Sequence, residues 1–280
     1  MIQEQAPAKV NLSLHITGVR EDGYHLMHMV NFSVPALSDT LYFEPAPELI
    51  FACADPGVPA GKDNLVYRTM ALLKKTCGVA CGAKVTLEKH IPMQAGLAGG
   101  SADAAAVIRG LNRLWQLDLP EARQIELAVA VGADVPYCLV SRPAVVTGIG
   151  EKIEVLGNFP AFAILGVKPR ANISTPEAFR EMDQIQDHRP YDDSALRQAL
   201  SQEDFESLSR CCRNDFEKVV FKKYPEVKTI GGKMRRAGAW MARMSGSGST
   251  MIGYFKTLEQ AEKAAAAFKT PGNIVFTAEV

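Results

Sequence analysis

Neither of the two commonest phosphate-binding signatures occurs in this chain. The pattern G-x-x-x-x-G-K-[ST] fails because Gly61-Lys62 is followed by Asp63 and Gly232-Lys233 by Met234, and no strand-linked G-x-G-x-x-G is present. Charge of one sign is not in excess: Lys+Arg and Asp+Glu both number 31. That balance speaks against a general nucleic-acid or membrane-surface binder, while leaving room for a local basic patch. Cysteine is sparse. Cys77 and Cys81 lack a second metal-spaced pair, vicinal Cys211 and Cys212 do not suggest a disulfide framework, and Cys53 and Cys138 stand alone. Reduced thiols in a cytoplasmic protein are the simpler reading. No apolar run approaches membrane-spanning length, and MIQEQAPAK lacks the apolar core of a signal peptide. There is no internal repeat or low-complexity tract. What is present is ordinary globular material, 280 residues with 47% hydrophobic and 22% charged, enough for one large domain or two moderate ones.

The most informative stretch is Ile91–Ala106, IPMQAGLAGGSADAAA. Gly96, Gly99 and Gly100 fall within five residues and lead into an alanine-rich run of strong helix propensity. A glycine loop opening into a helix N-terminus offers free N–H donors and the positive end of the helix dipole to an anion. The spacing alone fits a nucleotide phosphate cradle and a plain turn before a core helix equally well.

Elsewhere, period-two alternation over 8–17 (AKVNLSLHIT) predicts a half-buried strand with Lys9, Asn11, Ser13 and His15 on its polar face. Short strands are expected at 29–34, 40–43, 83–88, 144–147, 152–156, 162–167, 251–255 and 273–280. Asp63 is expected to cap a helix stopping at Gly78, and Pro120 to open another that ends at Gly132. Asp134 then sits on a turn beyond that helix end. Ser174-Thr175-Pro176 announces a helix, 183–194 reads as a polar loop, and helices are expected near 204–212, 226–237 and after Thr257, whose spacing to Gln260 is that of a capping box. A domain boundary falls near Gly157, giving units 1–157 and 158–280. The fold class is α+β.

Four motifs give the loop its meaning: PAKVNLSL, GVREDGYH, PMQAGLAGGSADAA and GADVPYCL, followed by MSGSGST. In this order they resemble the superfamily of galactokinase, homoserine kinase, mevalonate kinase and phosphomevalonate kinase. The DGYH segment is similar to the branch acting on a cytidylyl methylerythritol. The resemblance runs from Ala8 to Phe255. It implies a two-domain fold, with a ribosomal-protein-like N-terminal domain, a ferredoxin-like C-terminal domain and the active site between them.

By the same resemblance, ATP would phosphorylate the 2-hydroxyl of the cytidylyl methylerythritol, with Mg2+ accompanying the nucleotide through ligands that no motif assigns. Lys9 and Asp134 match the catalytic pair. Asp134 would accept the hydroxyl proton or hold the hydroxyl in line, and Lys9 would offset the negative charge gathering there. Pro92, Met93, Gln94, Ala95, Gly96, Leu97, Ala98, Gly99, Gly100, Ser101 and Ala102 would line the ATP phosphates. Asn11, Tyr24, His25 and Thr175 match substrate-holding positions, with Phe179 as a further stacking face. The SGSGST loop would pack close to the phosphate loop. Two departures stand out. Ala98 occupies a place where glycine is usual, which implies strain if φ is positive there. Ser141-Arg142-Pro143 replaces a common Gly-Gly-Thr. Rival readings are another small-molecule kinase of the superfamily, or a catalytically silent relative; the DGYH match and the retained Lys9 and Asp134 argue against them.

Overall fold

The computed structural model describes residues 1–185 and 190–280. In chain order the elements are β1 (Ile2–Val19), β2 (His25–Ala46), β3 (Leu49–Cys53), α1 (Leu65–Thr76), β4 (Gly82–Glu88), α2 (Gly99–Leu114), α3 (Glu121–Val131) and α4 (Val135–Val140). There follow β5 (Ala144–Gly148), β6 (Lys152–Val155), β7 (Ala163–Lys168), α5 (Thr175–Asp183), α6 (Ser194–Ser201), α7 (Phe205–Cys211), α8 (Glu217–Lys223), α9 (Pro225–Arg236), β8 (Met241–Met244), β9 (Met251–Phe255), α10 (Leu258–Ala265) and β10 (Ile274–Glu279). They form two compact units. The first comprises residues 1–9, 37–93 and 98–141, and the second comprises 10–36, 94–97 and 142–280.

In the first unit, Thr40–Ala46 of β2 runs antiparallel to β4, and β3 lies parallel to β4. Alanine-rich α2 buries Ala102 through Ile108. The small residues let it come close to the sheet: a Cβ on Gly110 would sit 2.4 Å from the Phe43 ring. Phe43 is fully buried there, a contact worth roughly 1.5–3 kcal/mol of transfer free energy. In the second unit, β7, β8, β9 and β10 form an antiparallel sheet in the order β10-β7-β9-β8, with α9 and α10 packed on it. Counted within this sheet the order is fourth, first, third, second, the ferredoxin-like arrangement. Met27–Asn31 of β2 pairs with β5, which pairs with β6.

Several sequence expectations are corrected. The strand at 8–17 is buried on both faces: Lys9, Asn11, Ser13 and His15 are all under 6% exposed. Alternation marks two faces, but neighbours cover the polar one. Ser13 Oγ donates to Arg213 O, and Tyr191 stacks on His15. The strands at 29–34 and 40–43 are parts of one strand, β2. Pro35 lies between its β5 and β4 ladders and interrupts neither. Asn64, not Asp63, caps α1. Asp63 belongs to a single 3-10 turn, whereas Asn64 is extended and accepts from Val66 N at 2.7 Å. The polar loop expected over 183–194 lies partly outside the described residues; α5 ends at Asp183 and α6 begins at Ser194. Thr257 accepts from Gln260 N, but the Gln260 side chain returns to Lys256 N rather than to the cap. Helices α4, α6 and α8 lacked a clear sequence signal; α4 and α8 are only six and seven residues long.

Candidate active site

Lys9 and Asp134 come together as an ion pair, Nζ to Oδ1 3.1 Å. The lysine side chain is 4% exposed and the aspartate 38%. Asp134 is the N-cap of α4, yet it makes no side-chain capping bond. Gly132 closes α3, and Val135 N bonds back to Gly132 O, so the turn presents the carboxylate to Lys9 instead of to the helix. A buried ammonium thus anchors a carboxylate whose remaining surface faces solvent. Behind it, burial pushes the Tyr137 hydroxyl and the Cys138 thiol far above their usual ranges, so neither ionises beside the aspartate.

The segment 92–102 curls through three left-handed residues, Gln94 (φ 51°), Gly96 (φ 71°) and Ala98 (φ 53°). Ala98 is the N-cap of α2, has no side-chain acceptor to offer, and carries no acidic neighbour in the first turn. The N–H groups of Gly99, Gly100 and Ser101 therefore remain uncapped at the positive end of a 16-residue helix. Space beside Gly100 is open: a Cβ there would meet nothing within 4 Å. Holding alanine at φ 53°, ψ 29° costs about 1 kcal/mol against glycine. Ser141, in the departure from Gly-Gly-Thr, adopts the same conformation at φ 51°, ψ 28° as the C-cap of α4, so it turns the chain as a glycine would, at similar cost.

The 245–250 loop touches the 92–102 segment at Gly96. A Cβ on Gly96 would sit 2.1 Å from Ser245 O, and Ser245 Oγ donates to Gly96 O at 2.8 Å. The glycine and the small loop residues are required by this approach. Asn214 Nδ2 secures the loop with bonds to Met244 O and Gly246 O, 2.7 and 2.8 Å. Asn11 is 1% exposed; its Oδ1 accepts from Gly246 N and its Nδ2 donates to Asn31 Oδ1 at 2.7 Å. Its amide therefore braces the same loop.

Of the other expected substrate positions, Tyr24 is 58% exposed. His25 Nε2 lies 2.6 Å from Asp183 Oδ1, and its ring stacks on Phe179 with centroids 4.4 Å apart. Thr175 Oγ1 lies 2.7 Å from Ser247 Oγ, so this hydroxyl ties the start of α5 to the SGSGST loop.

Sequence reasoning passed over two sets of residues. Arg109 donates to Glu4 Oε2, Gln5 O and Cys138 O, joining α2 to the strand of Lys9 and the helix after Asp134. Asp39, Lys89 and Asp103 form a buried cluster of titratable groups beside the 92–102 segment. The available signal was a charged residue inside the apolar run of α2, which single-residue patterns cannot distinguish from a solvated one.

Comparison with known proteins identifies the family. The profile of the GHMP kinases N terminal domain matches residues 64–142, and that of the GHMP kinases C terminal region matches 196–274. A 4-diphosphocytidyl-2-C-methyl-D-erythritol kinase of Rhizobium etli (strain CIAT 652) is 41% identical over 273 residues, covering 95% of this chain and 90% of the relative. The same-named enzyme of Pelotomaculum thermopropionicum is 40% identical over 271 residues, covering 96% and 94%. A solved 4-(cytidine 5'-diphospho)-2C-methyl-D-erythritol kinase superposes with TM-score 0.83 at 33% identity, covering 99% of this chain and 98% of the other.

Proposed function

The chain belongs to the 4-diphosphocytidyl-2-C-methyl-D-erythritol kinases of the GHMP kinase family, and from that premise we propose how its own residues carry out the reaction. The activity is ATP-dependent phosphorylation of the substrate's 2-hydroxyl, a step in making isoprenoid precursors. In our reading the uncapped N–H groups of Gly99 to Ser101 receive the ATP phosphates, with residues 92–102 wrapped about them. The 2-hydroxyl oxygen attacks the γ-phosphorus as the bond to the β-phosphate oxygen breaks, and ADP leaves. Asp134 takes the hydrogen bond from the 2-hydroxyl and, with it, the proton released. Lys9 holds that carboxylate in place and offsets the charge on the attacking oxygen. The observation that carries this reading is the Lys9–Asp134 ion pair, whose carboxylate is kept free of its own helix.

For the cytosine ring we assign Tyr24, His25 and Phe179, all in the second unit and suited to it by stacking and hydrogen bonding. The exposure of Tyr24 and the His25–Phe179 stack support this. Thr175 and Asn11 act from the SGSGST side. Among the described residues no group of three or more metal-ligating side chains is assembled. Magnesium in this reading arrives on the nucleotide phosphates. We place the domain boundary near Gly157, between the two family profiles, although the compact units interleave in sequence and 10–36, 94–97 and 142–157 cluster with the second. A cytoplasmic location is supported by six unpaired thiols; no described helix is long and apolar enough to cross a membrane.

The test is a coupled ADP-release assay with the cytidylyl methylerythritol, homoserine and mevalonate offered separately. Turnover with the first is expected. No turnover with it, but turnover with either other, would overturn the assignment.

A further inference from the structure

Asp39, Lys89 and Asp103 have side chains 0%, 7% and 4% exposed. Lys89 Nζ is bonded to Asp39 Oδ2 and lies 3.0 Å from Asp103 Oδ2. The second Asp39 oxygen accepts two main-chain N–H groups, from His90 at 2.6 Å and Ile91 at 2.8 Å. Those are the two residues that lead into Pro92. Asp103 lies in the second turn of α2, and its Oδ1 is buried with no hydrogen-bond partner among the described residues. The Lys89 ammonium also rests against the first residue of α2: a Cβ on Gly99 would sit 2.9 Å from Nζ. One cluster therefore grips the loop at both ends, before Pro92 and after Ala98. A buried ion cluster is weak evidence for a gain in stability, since desolvation offsets most of the attraction. Its placement calls for another role.

We propose that the Asp39–Lys89–Asp103 cluster is a positioning device for the phosphate loop, and that it makes nucleotide affinity depend on pH through Asp103. The proposal rests on the reading of the α2 N-terminus as the phosphate site. Two carboxylates share one ammonium and all three are buried, so with all three charged the cluster carries an uncompensated negative charge. Keeping one proton removes that cost. Asp103 is the member with the unpartnered oxygen, and burial pushes its carboxyl up to about 8. The groups facing it are Lys89 after β4, Asp39 on β2 and the Cys138 thiol on α4, the last raised too far to titrate with it. Helices α1 and α3 also pack on α2 and bury no titratable side chain. Near pH 7 the loop thus rests on a neutral cluster. Above pH 8 it rests on a negative one, directly beneath the donors that hold phosphate.

The test is the ADP dissociation constant of the full chain with magnesium, measured by calorimetry at pH 7 and pH 9. The wild type is expected to bind about tenfold more weakly at pH 9, the effect of one added charge at this range. Asp103→Asn, nearly isosteric, is expected to hold its affinity within about twofold across the same interval. Lys89→Met is expected to raise the KM for ATP by at least about tenfold, with the other substrate's KM little changed. A wild type that binds equally at both pH values, or an Asp103→Asn variant that keeps the wild-type slope, overturns the proposal. Should Lys89→Met fail to fold, Asp103→Asn decides alone. A wild type that binds no ADP at either pH overturns the phosphate-site reading instead, and the proposal with it.

Discussion

Replacing Gly96 with alanine puts the loop-to-loop contact to a sharp test. Gly96 has φ 71°, a conformation costing about 1–2 kcal/mol for a residue with a Cβ. The new methyl would also lie 2.1 Å from Ser245 O and 3.0 Å from both Gly248 N and Gly248 O. These are backbone atoms with no rotamer to yield, and they are tied to each other by Gly248 N to Ser245 O at 3.0 Å. Forcing them apart adds roughly 1–3 kcal/mol of overpacking. The sum, about 2–5 kcal/mol, corresponds to a melting point lower by roughly 3–9 °C for a chain of this size. Displacing the loop by even about 1 Å should also lower kcat/KM for ATP by tenfold or more. Differential scanning calorimetry and steady-state kinetics on Gly96→Ala check both. Gly100→Ala is the control for stability, because it has neither a positive φ nor an atom within 4 Å. It should melt at or above the wild type. If Gly96→Ala melts within about 2 °C of wild type and keeps its kinetics, the two loops do not meet as described.

Two further outcomes follow from the same kind of accounting. Ala98→Gly relieves a left-handed alanine (φ 53°), but glycine also frees the unfolded chain, so the melting point should rise by at most about 1 °C; a fall of more than about 2 °C would contradict the strain. His15, buried beneath the Tyr191 ring, is lowered by that burial to about 4 from its ordinary 6.5. The unfolded chain binds this proton first, so the stability it confers is complete above pH 6.5 and is lost as pH falls toward 4, on the order of 2 kcal/mol. Urea unfolding of wild type and His15→Gln at pH 7 and pH 4.5 would show it, and equal losses in both would refute it.

Much of the fold could be read from period and punctuation. Gly78, Pro120 and Gly132 end or open helices where expected, alternation located β4, the glycines at 148 and 150 marked the β5–β6 pair, and a compact apolar run marked β7. What failed did so for tertiary reasons. The polar face of β1 looked wet because alternation cannot reveal that Arg213 and Tyr191 will cover it. Helix α4 is too short for a period to emerge. Lys9 and Asp134 are 125 positions apart in sequence, and resemblance alone joined them; the fold brings them to 3.1 Å. The Asp39–Lys89–Asp103 cluster was invisible for a related reason. Each member looks like an ordinary surface charge until α2 and the end of β4 are placed side by side.

The central claim is that Asp134 performs the transfer while the α2 N-terminus holds ATP. Single-turnover transfer of the γ-phosphoryl group by Asp134→Asn, measured beside its ATP affinity by equilibrium dialysis, tests both halves at once. The expected result is a rate about 10²–10⁴-fold lower with ATP affinity within roughly threefold of wild type. A variant that keeps most of its transfer rate, or one that loses ATP binding together with transfer, would contradict it.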